Sequence, residues 1–219
     1  MIISKPTRYG TGITIWGDYY DLRNLHATVH ELCKNGPLEG KFGDVAIGLA
    51  YDLRHAYEER RDIKTFGMDE CDKVTYRGVK IMWPLYLLQL GLLRWAAAFN
   101  RTSRDTQANL FRLEACAEES LTAYDAVVGK QCMEWLERFS GFTTNYYIQY
   151  IDECNRKYVI AYPNGKKRFK NLPTILQMFT EISKEYRAFA RELEDIAKEK
   201  DCSPGMLTNM NDDYPDFKW

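Results

Sequence analysis

With 219 residues, 45 % of them apolar, the chain is long enough to bury a sizeable core and short for two domains. Its 30 basic and 31 acidic side chains leave a net charge of -1, which excludes a chain-wide pull toward nucleic acid or membranes but leaves local patches open. Aromatic residues make up 14 %, including 15 Tyr and 5 Trp, and favour large amphipathic contact surfaces.

The opening MIISKPTRYG has no apolar run of the kind a secretory signal needs. Six cysteines, Cys33, Cys71, Cys116, Cys132, Cys154 and Cys202, are scattered without a CxxC pair. The expectation is reduced, mostly buried thiols in a cytoplasm.

In chain order, Ile13 and Ile15 alternate around Thr14 and predict a short strand. Gly17 and Asp18 make a turn, and Asp18 or Asp21 can cap a helix with Leu22, Leu25, Val29 and Leu32 on one face. KNGPLEGKFG reads as a loop, followed by a helix from about Asp44 to Arg60. Two β-like runs, Ile63–Phe66 and Val74–Met82, flank a turn near 67–72. A sheet of about three strands is expected in the first eighty residues or so.

WPLYLLQLGLLRWAAAF, 83–99, is shorter than the roughly 20 residues of a membrane span and contains Arg94, so it predicts a buried central helix. Pro84 suits its first turn. Thr102 or Ser103 can cap a long helix carrying Leu110, Leu113, Ala117, Leu121, Tyr124 and Val128, which Gly129 would end. KQCMEWLERF and TTNYYIQYIDECNRKY read as further helices. YVIAYPNGKKRF stays open between helix and a hairpin around 163–165. A last long helix from Asn171 and Pro173 is expected to carry Leu176, Phe179, Ile182, Tyr186, Phe189, Leu193 and Ile196. Together these elements predict an α+β, predominantly helical domain over 1–205. A strand and helix portion (1–82) packs on a helical bundle (83–205), and 206–219 form a tail.

The succession GITIWGDYYDL, YDLRHAYE, VKIMWPL and helices with a basic stretch before LP resembles an uncharacterised bacterial family of unknown function. Tyr51–Glu58 and Trp83–Pro84 carry the resemblance most strongly. It implies a bacterial, intracellular, stand-alone protein and brings no activity, ligand or catalytic residue with it.

Tyr51, Arg54, His55 and Glu58 share one helix face, with Asp52 at its edge, opposite the apolar Leu49, Leu53 and Ala56. The stripe reads as local pairing, as a network covered by another element, or as a site in which His55 acts with a carboxylate and Arg54 binds an anion. Composition favours at least partial cover of Tyr51, Arg54 and Asp52 by other elements, because Tyr, Arg and His carry apolar bodies that gain from contact. An adjacent Arg54 and His55, with no later histidine, does not match the Arg and His spacing of helical ribonucleases. His26 and His30 stand at i, i+4 and are candidate metal ligands with His55, although Ala27 replaces the catalytic Glu of an HExxH motif. Arg94 in its apolar helix requires a partner such as Asp125, or marks an internal anion pocket. Lys166, Lys167, Arg168 and Lys170, beside Tyr162 and Phe169, are candidate phosphate and base contacts. No Gly-rich phosphate loop, GxSxG, zinc pattern or dinucleotide fingerprint occurs, and no cofactor is expected. The leading expectation is a non-enzymatic interaction protein, with a second copy of the chain as one candidate partner. The alternatives are a small-molecule or phosphate-ester enzyme around Arg54 and His55, and a nucleic-acid binder using 166–170.

Overall fold

The computed structural model of the chain describes residues 1–34, 37–38, 41–66, 73–141, 146–162, 165–180, 182–207 and 216–219. Strands β1 (Ile3–Pro6), β2 (Gly12–Gly17), β3 (Asp62–Phe66) and β4 (Val74–Met82) form an antiparallel sheet in the order β1-β2-β4-β3. The sheet has four strands where about three were expected. The additional one, β1, is four residues long and contains Lys5 and Pro6, so it shows no apolar alternation. The expected turn at 67–72 lies outside the described residues.

Register fixes the two faces of the sheet. Ile13 pairs with Ile81 and Ile15 with Val79, and all four are buried against the helices. The intervening pairs, Thr14 with Lys80 and Trp16 with Gly78, therefore point to the opposite face. Lys5 continues the Thr14 row onto β1, and Asp62 continues the Gly78 row onto β3.

Helix α1 (Tyr19–Lys34) starts with reciprocal capping. The Asp21 N–H donates to Asp18 Oδ1 (2.8 Å) and the Asp18 N–H to Asp21 Oδ2 (3.2 Å). It packs on α2 (Lys41–Tyr57), which begins before the expected Asp44 and ends before Arg60. The stop lies at Glu59, whose φ of 63° is left-handed and breaks the helical ladder. Helix α3 (Trp83–Phe99) carries Pro84 in its first turn and runs through the centre, touching α1, α2 and α4. Trp83, Tyr86 to Leu93 and Ala96 are buried along it. No helix of the described residues is long and apolar enough to cross a membrane.

Helix α4 (Arg104–Tyr124) begins at Ser103, whose Oγ accepts from the Thr106 N–H at 3.0 Å. It ends at Asp125, not at Gly129. The Asp125 carboxylate accepts from the Val127 and Val128 N–H groups and starts α5 (Ala126–Arg138) at once. Gly129 sits inside α5 because a Cβ there would stand 3.0 Å from the Leu121 carbonyl carbon. Helix α6 (Tyr147–Ala161) and helix α7 (Gly165–Lys170) flank 163–164, so no strands are present for a hairpin there. The expected last helix is two: α8 (Leu172–Met178) and α9 (Lys184–Glu199), the second restarted by Ser183 capping the Tyr186 N–H. A short 3-10 turn follows at Pro204–Met206. One apolar core takes in buried residues from Ile2 to Leu207, and Phe217 packs against it. The fold is α+β and mostly helical.

Candidate functional site

The α2 stripe faces a matching row on α1. Tyr20, Tyr19, Tyr57, His26 and His30 form a chain of edge-on rings, with centroids 5.4, 5.5, 5.7 and 4.4 Å apart in sequence. The Nε2 atoms of His26 and His30 are 3.1 Å apart. Burial pushes the His26 pKa below its ordinary value. His30 and Arg54 act in the same direction, and Glu58 opposes them.

On α2, the Arg54 guanidinium lies over the Tyr51 ring at 5.1 Å, and its Nε is 3.9 Å from Glu58 Oε1. Asp52 pairs with Arg61 at 3.4 Å. Burial raises the Asp52 pKa, while Arg61 and His55 pull it down. Cover is uneven: Arg54 and Asp52 are half-buried, while Tyr51 is 50 % exposed and only partly covered. The three histidines do not converge. Among the described residues no three His, Cys, Asp or Glu side chains form a metal-capable group, and the charged neighbour of His55 is Asp52.

Arg94 pairs with Glu114 at 3.3 Å, not with Asp125, because α4 runs beside α3 and presents Glu114 one turn beyond Leu110. Its side chain is partly exposed, so the guanidinium reaches solvent instead of closing an internal pocket.

The basic segment 166–170 is divided by α7. Lys166, Lys167 and Lys170 are exposed, but Arg168 and Phe169 are fully buried. Arg168 Nε donates to the Tyr162 carbonyl (3.0 Å), Nη2 to the Val159 carbonyl (3.4 Å) and Nη1 to Thr11 Oγ1. This arginine is a structural clamp, and Phe169 offers no face for a base.

Cations and aromatic rings instead meet on the outer face of the sheet. A cleft of about 520 Å³ there is lined by Lys5, Arg8, Trp16, Lys64, Lys80 and Trp219, among others. A second, of about 250 Å³, adjoins it at Arg61, Asp62, Gly78, Lys80 and Trp219. Lys64 Nζ stands 4.4 Å above the Trp16 ring, and Lys80 pairs with Asp62 at 2.7 Å. Five cationic side chains thus line the face against one carboxylate, in a chain that is nearly neutral overall. No carboxylate among the described residues is paired with Lys5, Arg8 or Lys64. Trp219 is held in place nearby by Thr11 Oγ1, which donates to the Lys218 carbonyl, and by its edge contact with Phe217.

The sequence reading placed none of these residues in a site. The signal was available in the alternation: if Ile13, Ile15, Val79 and Ile81 face inward, then Thr14, Trp16 and Lys80 must share the other face. Placing Lys5 and Lys64 beside them requires the pairing of four strands.

A family model, described as a domain of unknown function (DUF6904), matches residues 2–219. The chain belongs to that family. Membership agrees with the resemblance found in the sequence motifs and attaches no chemistry to either surface. Comparison with curated proteins found no match, and comparison with solved structures found none.

Proposed function

We propose that the protein is a non-enzymatic binding module of a bacterial cytoplasm that takes a single-stranded nucleic acid along the outer face of its sheet. The observation that supports this reading is the clustering of Lys5, Arg8, Lys64 and Lys80 with Trp16 and Trp219 around one 520 Å³ cleft. Lys5, Arg8 and Lys64 have no carboxylate partner among the described residues, and such cations attract a phosphate backbone and release its counterions. The partly exposed Trp219 offers an aromatic surface on which a base can stack, a contact indifferent to sequence.

The test is fluorescence anisotropy with a labelled single-stranded oligonucleotide at low and rising salt. Three to five phosphate contacts predict a slope of log K against log salt of roughly -2 to -3.5. Lys5→Glu with Lys64→Glu should abolish binding, while Lys166→Glu with Lys167→Glu should leave it nearly unchanged. The reverse pattern moves the surface to α7. Equal binding of a polyglutamate of matched charge overturns the nucleic-acid reading, because stacking then contributes nothing.

A further inference from the structure

We propose that His26 and His30 form a two-imidazole site for a divalent transition metal such as Zn²⁺, Ni²⁺ or Cu²⁺, on a surface separate from the sheet face. The geometry carries the inference. The residues stand one turn apart on α1, and their Nε2 atoms lie 3.1 Å from each other. An ion held by two bonds of about 2.1 Å from atoms so spaced would see an angle of about 95° between them. That lies between the right angle of octahedral or square-planar sets and the wider tetrahedral angle, so the spacing suits cis binding once the rings turn their Nε2 lone pairs toward the ion.

In the metal-free chain one Nε2–H donates to the other Nε2. Binding requires the donor ring to take its other tautomer, the proton passing through water from Nε2 to Nδ1, so that both Nε2 lone pairs face the ion and both rings stay neutral. The edge contact of His26 with Tyr57 fixes the inner ring, and His30 on the exposed side completes the pair. Arg54 and Glu58 are the charged groups that act on His26 from α2. The guanidinium opposes a bound cation and the carboxylate favours it. With only two protein ligands, the other positions belong to water, so the ion stays open to a further donor. Imidazole pairs suit Zn²⁺, Ni²⁺ and Cu²⁺ over Mg²⁺ or Ca²⁺, which prefer oxygen.

The experiment is isothermal titration of the full, untagged chain with ZnCl₂ and, separately, with NiCl₂. One ion per chain is expected for the parent and for His55→Ala. His26→Ala and His30→Ala should each weaken binding at least tenfold, with circular dichroism confirming that the fold is intact. A MgCl₂ titration should give no heat of binding. The proposal is overturned if the parent takes up no ion, if it binds no better than the double His26→Ala, His30→Ala variant, or if His55→Ala loses the ion as well. Nucleic-acid binding by Lys5→Glu with Lys64→Glu is irrelevant to these outcomes, so the two surfaces stand or fall separately.

Discussion

The Trp16 indole lies across the backbone of Gly78, so close that a Cβ at Gly78 would stand 2.6 Å from Trp16 Cε3. This contact on the paired strands β2 and β4 keeps Trp16 only 4 % exposed and flat enough for Lys64 to ride on it. Gly78→Ala should therefore cost about 1–3 kcal/mol through overpacking. Urea denaturation measures it. Gly48→Ala is the control: its added Cβ meets nothing nearer than Gln89 Nε2 at 3.4 Å, and helix propensity favours it by about 0.5–1 kcal/mol. A Gly78→Ala protein as stable as the parent would show that the indole can tilt away freely.

Arg168→Ala should be among the most damaging changes in the helical half. It leaves the buried Val159 carbonyl, the part-buried Tyr162 carbonyl and the Thr11 hydroxyl short of a donor, at about 1–3 kcal/mol for each group that stays dry. Lys167→Ala and Lys170→Ala, on exposed turns of the same short helix, should stay within about 0.5 kcal/mol of the parent. Thermal melts of the three variants would separate a clamp from a merely basic segment, and equal melting of all three would refute the clamp.

Arg54→Ala should be mild, costing no more than about 1 kcal/mol. Its contact with Glu58 is long and solvent-screened, and the stacking on Tyr51 is exposed. A loss as large as that of Arg168→Ala would mean that the stripe is a tightly coupled network after all.

Glu114 gives a pH test. Burial raises its pKa, and the attraction of Arg94 offsets this only in part. A carboxyl with a raised folded pKa contributes stability that is fully present below the unfolded value of 4.5 and lost as pH rises through the folded value. Relative to Glu114→Gln, the parent should thus gain stability as pH falls from 7 to 4. A parent that instead loses ground over that interval would show that Arg94 outweighs burial.

Much of the fold was legible because its signals are local. Asp18, Ser103 and Pro84 mark helix starts through their own backbone chemistry, and the apolar stripes of α1 and α3 follow one helical period. The signal failed where an apolar period outlasts its helix. Phe179, Ile182 and Tyr186 keep helical spacing across the break between α8 and α9, yet Ile182 is 77 % exposed and Ser183 caps a new helix. Arg168 was misread for a related reason: a basic run looks solvated until a distant segment arrives to bury it. The sheet-face residues come from four strands and the C-terminal residues, and no local window contains them.

The turn between β1 and β2 has its own dependence on distant residues. Tyr158 Oη donates to the Gly10 carbonyl at 2.6 Å, the Gly165 N–H donates to the Tyr9 carbonyl at 2.9 Å, and Arg168 and Lys218 meet at the Thr11 hydroxyl. A ribosome emits the N-terminal hairpin first, but its fastenings leave the tunnel 148 to 207 residues later. At about 5–20 residues per second, that is a wait of roughly 7–40 seconds before the last of these hydrogen bonds can form. Closure of such long loops delays the fastening of the turn, and makes the early hairpin a natural client for whatever shields nascent strands.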